Sequence, residues 1–232
     1  MKCSFCGDSL VKELKISDLL FFKPILFNEC CYSCYETIKS QKNGKTCQFC
    51  QKKLTASHDT CKDCSHWQKI IPHFSLHHTF LYDYTDMMSD YFKEFKFLGD
   101  IRKGTAFSKD VFKELSPFVK KGFIIVPIPL SKQGMKDRGF NQVEEMLKAS
   151  SVPFELYLSK KNTISKQSER GKEERLLMKQ PFIVTKNKRK RVENSKILLV
   201  DDVYTTGRTI LHAYDCLSQY NPKEIRSFTL SR

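Results

Sequence analysis

An acidic pair followed by small hydroxylated residues is the strongest chemical signal in this sequence. The stretch Lys196 to Ile210 reads KILLVDDVYTTGRTI and begins with the pattern of a buried strand. Asp201 and Asp202 end that strand, where carboxylates can accept hydrogen bonds from hydroxyl groups or bind Mg²⁺. The loop after them contains Thr205, Thr206, Gly207, Arg208 and Thr209. Hydroxyl groups, a glycine and the start of a helix together favour an anion, so the stretch predicts a sugar-phosphate site.

A second strand leads into a basic loop. The stretch Gly122 to Leu130 reads GFIIVPIPL, and its prolines are expected to end the strand. The loop contains Lys132, Arg138 and Gly139, and helical spacing follows from Val143. Arginine and backbone amides can hold an anion such as pyrophosphate, although Arg138 could equally form an ordinary ion pair.

Nine of the ten cysteines lie within the first 70 residues, and eight of them form four CxxC knuckles. The two thiolates of one knuckle can share a metal ion, and two knuckles complete a tetrahedron, so eight thiolates predict one or two structural zinc ions. A disulfide framework is the alternative, but it needs an oxidising compartment. The predicted ligands are Cys3, Cys6, Cys31, Cys34, Cys47, Cys50, Cys61 and Cys64.

The pairing of the knuckles stays open at this point. Sequential pairing gives a double zinc ribbon, whereas a cross-braced arrangement joins the first knuckle to the third. Cys30 is an alternative ligand to Cys31, but Cys31 restores the CxxC repeat. Because eight cysteines suffice, the nearby histidines are predicted to lie on the surface or in linkers. They are His58, His66, His73, His77 and His78.

The charge of the chain is strongly basic and unevenly distributed. There are 40 Lys and Arg against 26 Asp and Glu, a formal net charge of +14. From Lys160 to Arg191, twelve Lys or Arg against three Glu give a local net charge of +9. A polyanionic partner such as single-stranded DNA explains this excess, and a generally solvated basic surface is the plainer interpretation. The DNA-binding candidates are Lys160, Lys161, Lys166, Arg170, Lys188, Arg189, Lys190 and Arg191.

Aromatic residues concentrate between Phe80 and Leu98, first with strand alternation and then with helical spacing. Core packing explains them most simply. Aromatic rings interleaved with lysines, such as Lys93 and Lys96, also suit the stacking of single-stranded bases.

The organisation predicted from these patterns has two parts. Residues 1–70 form a cysteine-rich double zinc-ribbon module. Residues 71–232 form an α/β domain with a twisted, mostly parallel sheet flanked by helices. No hydrophobic run approaches the roughly 20 residues of a membrane span, and no signal-peptide core is present, so we expect a soluble cytoplasmic protein without membrane insertion.

Two sets of motifs resemble known families. The segment VDDVYTTGRT, Val200 to Thr209, resembles the phosphoribosyl-pyrophosphate (PRPP) loop of type I phosphoribosyltransferases. VPIPLS followed by DRGFNQ, with four upstream CxxC knuckles, resembles the ComF family of competence proteins. The resemblance implies that Asp201 and Asp202 face the ribose hydroxyls and that residues 205–209 hold the 5′-phosphate. It places the pyrophosphate, bridged by magnesium, at the loop from Lys132 to Gly139.

The family also implies a function. It implies handling of imported single-stranded DNA in natural transformation, beside a ComFA-like competence helicase at the inner face of the membrane. The alternatives are an active phosphoribosyltransferase that releases pyrophosphate from PRPP and a zinc adaptor that docks the helicase. Segment 160–179 would take the place of the flexible hood of the transferases. The hood motif of the family is altered here, since Gln167 follows Thr163 one residue late, and catalytic residues are therefore not assigned.

Overall fold

The computed structural model describes residues 1–11, 24–39, 44–55, 58–71, 74–161 and 180–232. The described strands, in chain order, are β1 (His77–Tyr82), β2 (Phe123–Pro127), β3 (Leu158–Lys160), β4 (Phe182–Val184), β5 (Lys196–Val203) and β6 (Glu224–Ser231). The described α-helices are α1 (Tyr32–Ile38), α2 (Lys62–Ile70), α3 (Asp86–Phe97), α4 (Ser108–Lys120), α5 (Lys132–Arg138), α6 (Gln142–Ala149), α7 (Arg189–Val192) and α8 (Arg208–Ser218). Short 3₁₀ turns occupy Ile101–Thr105 and Lys186–Lys188.

The central sheet is parallel and has the strand order β1-β6-β5-β2. Strands β3 and β4 form a separate antiparallel pair, in which Lys160 lies opposite Phe182. The carboxyl ends of the parallel strands meet at one edge of the sheet, where open α/β sheets bind ligands. The predicted parallel sheet flanked by helices is confirmed.

Both faces of the sheet are buried, which explains why β5 is hydrophobic without alternation. Ile197 and Leu199 belong to one hydrophobic core, and Leu198 and Val200 belong to the other. The first core contains α8 and the second half of the cysteine-rich segment. The second core contains the buried faces of α3, α4 and α6. The proposed domain boundary after residue 70 stays a prediction.

Capping residues determine where the helices begin and end beside the carboxyl edge of the sheet, which we call the ligand edge. The Thr85 hydroxyl accepts a hydrogen bond from the Met88 amide at 3.3 Å and begins α3. The Asn141 side chain accepts from the Val143 amide at 3.0 Å and begins α6. Gly139 ends α5 with a φ of 78°, a left-handed conformation that glycine adopts without strain.

Several sequence predictions of local structure were wrong. The basic loop after Leu130 is mostly helix α5, because Ser131 caps it by accepting a hydrogen bond from the Gly134 amide at 3.0 Å. Helix α4 was not predicted. His78 is not on the surface: it lies buried in β1 between the hydroxyls of Ser227 and Thr229.

The other histidines have different outcomes. His58, His66 and His77 are exposed, while His73 lies outside the described residues. Across the described ranges, no helix is both long and apolar enough to cross a membrane.

Candidate functional site

The acidic pair lies at the carboxyl end of β5 and is buried. Asp201 is 9% exposed and Asp202 is 7% exposed. The Asp202 amide donates a hydrogen bond to Asp201 Oδ1 at 3.0 Å. Asp202 Oδ2 accepts from Gln142 Nε2 and pairs with Lys96 Nζ, both at 2.7 Å. Asp202 is therefore a fixed, charge-compensated carboxylate.

Asp201 has a different electrostatic environment. Burial, followed by repulsion from Asp202, raises the pKa of Asp201 to about 8 against the opposing effects of the Asp202 amide, Lys96 and Lys160. At neutral pH the Asp201 carboxyl is therefore largely protonated, and it can both donate and accept a hydrogen bond. The pair thus presents one carboxylate and one carboxylic acid, a suitable set for vicinal hydroxyl groups.

Sequence reasoning missed Lys96 and Gln142 as members of this site. Lys96 follows Phe92 by four residues, so both lie on the buried face of α3, and its Nζ is 5.0 Å from the Phe92 ring centroid. A lysine on a buried helical face needs an acidic partner, which is the signal that could have identified it. Gln142 is the last residue of the DRGFNQ motif. The family resemblance was based in part on this motif but assigned no role to Gln142.

Arg138 is connected to the acidic pair through Gln142. Arg138 Nη1 donates to Gln142 Oε1 at 2.9 Å, and Gln142 in turn donates to Asp202. The turn at Gly139 brings the end of α5 and the start of α6 to this edge of the sheet. Lys132 is exposed on the first turn of α5. The hydrogen bond between Gln142 and Asp202 therefore joins the two motifs, although these two residues are 60 positions apart in the sequence.

The threonine loop joins β5 to α8. Thr205, Thr206 and Thr209 are exposed, so their hydroxyls face solvent at the ligand edge. The Arg208 amide donates to the Thr206 hydroxyl at 3.5 Å, and α8 begins at Arg208. The first amides of that helix point toward the loop, which suits an anion.

Gly207 is required by close packing as well as by its backbone angle. Its φ is 75°, and a Cβ at this position would lie 2.1 Å from the Tyr204 hydroxyl oxygen. Tyr204 is buried beneath the loop, with its ring centroid 4.3 Å from that of His78. The loop therefore rests directly on the Tyr204 ring.

Arg232 connects this loop to the cysteine-rich segment. Its guanidinium lies 4.4 Å from the Tyr204 ring centroid, and Nη1 donates to the Tyr204 carbonyl at 3.3 Å. Nη2 donates to Cys50 Sγ at 3.1 Å. A single side chain thus contacts both the candidate phosphate loop and a candidate metal ligand.

The eight predicted cysteine ligands form two clusters. Within each cluster, the four sulfurs lie within 4.8 Å of one another. The distance from Cys6 Sγ to Cys31 Sγ is 3.7 Å, and that from Cys50 Sγ to Cys61 Sγ is 3.6 Å. Zn–S bonds of about 2.3 Å in a tetrahedron separate the sulfurs by about 3.8 Å, so both clusters could hold zinc. The grouping is sequential, and it contains Cys31 and not Cys30.

The two clusters repeat one local structure. Lys2 bridges to Ser9 and Thr46 bridges to Lys53, at the same offsets around a knuckle. In the first cluster the Cys31 amide donates to Cys3 Sγ at 3.3 Å, and in the second the Cys61 amide donates to Cys47 Sγ at 3.4 Å. Cys31 and Cys61 both act as N-caps of a helix. The described parts of the cysteine-rich segment therefore contain the same local structure twice.

The second cluster differs from the first in its charge environment. A hydrogen bond with Cys64, assisted by the Arg232 guanidinium, lowers the pKa of Cys50 to about 5 despite burial. All four cysteines of this cluster are buried, whereas Cys6 in the first cluster is exposed.

The DNA-binding candidates occupy two separate places. Lys160 and Lys161 are exposed at the end of β3, and the charge of Lys160 acts on Asp201. Residues 188–191 precede β5 and therefore lie at the opposite end of that strand. There Lys188 and Arg191 both pair with Glu155, at 2.7 and 2.8 Å. Arg189 and Lys190 are exposed, while Lys166, Arg170 and the rest of 162–179 lie outside the described residues.

Comparison with known proteins defines the class of this protein. A family model described as a phosphoribosyl transferase domain matches residues 135–232. This range contains the DRGFNQ motif and the stretch from Asp201 to Thr209. Together with the parallel sheet, this match defines a phosphoribosyltransferase-like α/β protein with an N-terminal cysteine-rich segment. The predicted fold class is confirmed.

Full-length relatives identify the family. The chain is 34% identical over 234 residues to competence protein ComFC of Bacillus subtilis strain 168, covering 99% of this chain and 94% of that protein. It is 32% identical over 233 residues to competence protein ComFC of Streptococcus pneumoniae strain ATCC BAA-255 / R6, covering 100% of both. The chain belongs to the ComF family of competence proteins.

Two solved structures are also similar. An allosteric regulatory enzyme of purine biosynthesis has a TM-score of 0.32 and 19% identity, covering 52% of this chain and 24% of that chain. A hypoxanthine phosphoribosyltransferase from Staphylococcus aureus has a TM-score of 0.31 and 14% identity, covering 54% of this chain and 63% of that chain.

Proposed function

We propose that this protein acts in natural transformation by handling imported single-stranded DNA and that it binds PRPP with magnesium at the carboxyl edge of its sheet. The observation on which the PRPP proposal depends most is the network Arg138–Gln142–Asp202–Lys96. This network connects the Arg138 guanidinium to Asp202 of the acidic pair, which lies at the end of β5 just before the threonine loop. PRPP needs cations for its pyrophosphate, acceptors for its ribose hydroxyls and donors for its 5′-phosphate.

Each part of the proposed ligand has its own residues. Asp201 and Asp202 bind the ribose hydroxyls, and Thr205, Thr206, Gly207, Arg208 and Thr209 hold the 5′-phosphate through hydroxyls and backbone amides. Arg138, Gly139 and Lys132 meet the pyrophosphate, and magnesium, when bound, would offset its negative charge. These roles are supported by the exposed threonines, the buried acids and the start of α8 at the loop.

The DNA-handling proposal is supported by the family and by the basic residues beside the same edge. Lys160 and Lys161 are exposed at the end of β3, and the local segment has a net charge of +9. Phosphate contacts of this kind bind single strands without sequence preference and release counterions. Lys188 and Arg191 contribute less in this proposal, because Glu155 partly neutralises both.

Fluorescence anisotropy with a labelled oligodeoxythymidylate tests this proposal. We expect the logarithm of the binding constant to fall linearly with the logarithm of the salt concentration. The double variant Lys160→Gln/Lys161→Gln should reduce the slope by about 1.4, at about 0.7 for each phosphate contact of a single strand. The control Lys109→Gln/Lys113→Gln removes the same charge from α4 and should leave the slope nearly unchanged. Absence of measurable strand binding at low salt would contradict the proposal.

Turnover of PRPP is a second candidate function. It is favoured by Asp201, whose pKa of about 8 lies close to neutral pH, as expected of a group that exchanges protons during a reaction. Pyrophosphate release that disappears in Asp201→Asn would support an active phosphoribosyltransferase. Equal release by the wild type and the variant would refute this role for Asp201.

A zinc adaptor role for residues 1–70 is compatible with both functions. Tyr32, at the start of α1, is 81% exposed beside the first cysteine cluster and suits a partner protein such as a ComFA-like helicase. Binding of the purified helicase to the wild type and to Tyr32→Ala tests this role. Equal affinities would exclude Tyr32 as the contact.

A further inference from the structure

A cavity of about 600 Å³ lies between the third cysteine knuckle, Cys47 to Cys50, and the carboxyl end of the sheet. We call it the knuckle cavity. Gly44, Thr46 and residues 51–53 of the knuckle line one side of it. The other side is formed by residues at the ends of β1 and β5 together with Arg232. Its volume suits a small organic ligand such as one nucleotide.

We propose that the knuckle cavity binds one nucleotide unit of a single DNA strand, with the base stacked on Tyr84 and the adjoining phosphate near Lys52 and Lys53. This inference rests on the proposed handling of single-stranded DNA and identifies where a base is held. It concerns residues that were not assigned to the PRPP site or to the predicted DNA-binding set, apart from Thr205 at the shared border.

The aromatic lining supports a base. Tyr84 follows β1 directly and is 46% exposed, whereas most aromatic residues between Phe80 and Phe95 are buried. Its ring stacks on Phe92 with an interplanar angle of 11° and a centroid distance of 6.2 Å. Because Phe92 supports one face, the ring is held in place while the exposed face lines the cavity. Phe80 adds a second, largely buried aromatic surface. A fixed, half-exposed ring is the kind of platform on which single-stranded bases stack.

The charges of the lining support a phosphate. The charged side chains are Lys52, Lys53 and Arg232 against Asp83, three cations and one carboxylate. Lys53 Nζ lies 3.9 Å from the Asp83 carboxylate, at the outer limit of an ion pair, and the lysine side chain is 58% exposed. Lys52 Nζ also pairs with Asp63 at 3.3 Å. Lys53 and Arg232 against Asp83 therefore leave an excess of one positive charge. This excess favours a ligand that combines a planar ring with an anionic group.

The position of the cavity connects it to the proposed PRPP site. Val203, Tyr204 and Thr205 line the cavity and lead directly into the threonine loop, but Asp201 and Asp202 do not line it. A base in the cavity therefore lies beside the PRPP loop without occupying the acidic pair. Changes at Tyr84 should consequently affect the strand and leave PRPP binding intact.

The test uses the full-length protein and fluorescence anisotropy with a labelled oligodeoxythymidylate. We expect Tyr84→Ala to weaken strand binding by about 5- to 100-fold, the range for loss of one stacked base, with an unchanged salt slope because no phosphate contact is removed. Tyr84→Phe keeps the ring and should bind almost as the wild type does. Ile101→Ala removes a hydrophobic side chain of similar exposure, 48% against 46%, outside the lining of the cavity, and serves as the control. Lys53→Gln should reduce the salt slope by about 0.7.

The outcomes separate this inference from the proposed function. If the wild type binds the strand and Tyr84→Ala binds it equally well, the cavity does not hold a base, while DNA handling stands. If the wild type binds no strand, both proposals fail. A parallel titration with thymidine monophosphate distinguishes the source of the nucleotide. If Tyr84→Ala loses the monophosphate and retains the strand, the cavity is a mononucleotide site and the assignment to DNA is overturned.

Discussion

Replacement of Gly207 by alanine tests the packing of the threonine loop most sharply. The new Cβ would lie 2.1 Å from the hydroxyl oxygen and 2.2 Å from Cζ of Tyr204. The ring cannot move aside easily, because it is 4% exposed and lies between the His78 ring and the Arg232 guanidinium. The substitution therefore adds a steric clash to the strain of a left-handed alanine.

The two costs can be separated with a second glycine. Gly122 has nearly the same φ, 79° against 75°, but a Cβ there would meet no heavy atom within 4 Å. Gly122→Ala should thus cost only the left-handed strain, about 1–2 kcal/mol of the free energy of unfolding. Gly207→Ala should cost that amount plus about 1–3 kcal/mol for displacing a packed ring. We expect a difference of about 1–3 kcal/mol between the two variants.

Urea denaturation of both variants measures this difference. A double-mutant cycle then assigns it to the ring: in a Tyr204→Ala background, Gly207→Ala should cost no more than Gly122→Ala does. Equal costs of the two glycine substitutions in the wild-type background would refute the packing argument. A large cost of Gly207→Ala that persists without the Tyr204 ring would also refute it.

Three further predictions concern the acidic pair and the cysteine clusters. Lys96→Met should lower the free energy of unfolding by about 3 kcal/mol in urea denaturation, because it leaves the buried Asp202 carboxylate without its ion-pair partner. Lys93→Met, at an exposed pair with Asp90, should have a much smaller effect, and similar costs of the two variants would contradict this account. Between about pH 4 and pH 8, the folded protein keeps a proton on Asp201 that the unfolded chain has lost. The contribution of Asp201 to the free energy of unfolding should therefore fall as the pH rises through this range and stay constant above it. Asp201→Asn should become increasingly stable relative to the wild type across the same range, and parallel stability curves would refute the raised pKa. Cys64→Ser should lower the zinc content measured by elemental analysis, whereas Cys216→Ser, at a buried thiol outside the clusters, should retain it; equal zinc content would contradict the assignment.

The sequence predicted the sheet and the eight clustered cysteines because each depends on local patterns, while it left the grouping of the knuckles open. The hydrophobic run from Ile197 to Val200 predicts a strand buried on both faces, as the structure has it. The CxxC spacing limits the cysteines to a few groupings, and sequential grouping around Cys31 is what the structure contains. Motifs that are contiguous in sequence could thus be recognised before any contact was known.

Long-range contacts could not be predicted in the same way. Lys96 reaches Asp202 from another helix, and its local neighbours Phe95 and Phe97 indicate only an aromatic helix. The contact of Arg232 with both Tyr204 and Cys50 depends on the folding of the last strand against the cysteine-rich segment. The helix α5 was mistaken for a loop because Gly134 within it and Gly139 directly after it suggested flexibility, whereas the Ser131 cap stabilises a short helix.

His78 shows a further limit of reasoning from composition. A histidine near a cysteine-rich segment is usually a ligand or a surface residue, but β1 places it inside the sheet. There burial and the charge of Arg232 lower its pKa far below the usual range, and two hydroxyls satisfy its ring nitrogens. Neither hydroxyl lies near it in sequence.

Calorimetric titration with PRPP and magnesium tests the central claim most directly. It should be performed on the wild type, Asp202→Asn and the control Asp90→Asn, which changes an exposed carboxylate of α3. We predict saturable binding to the wild type and the control, and an affinity reduced about 10- to 100-fold in Asp202→Asn, as for loss of hydrogen bonds to a charged group. Equal affinities of the three proteins, or no binding to the wild type, would contradict the assignment of the acidic pair to PRPP.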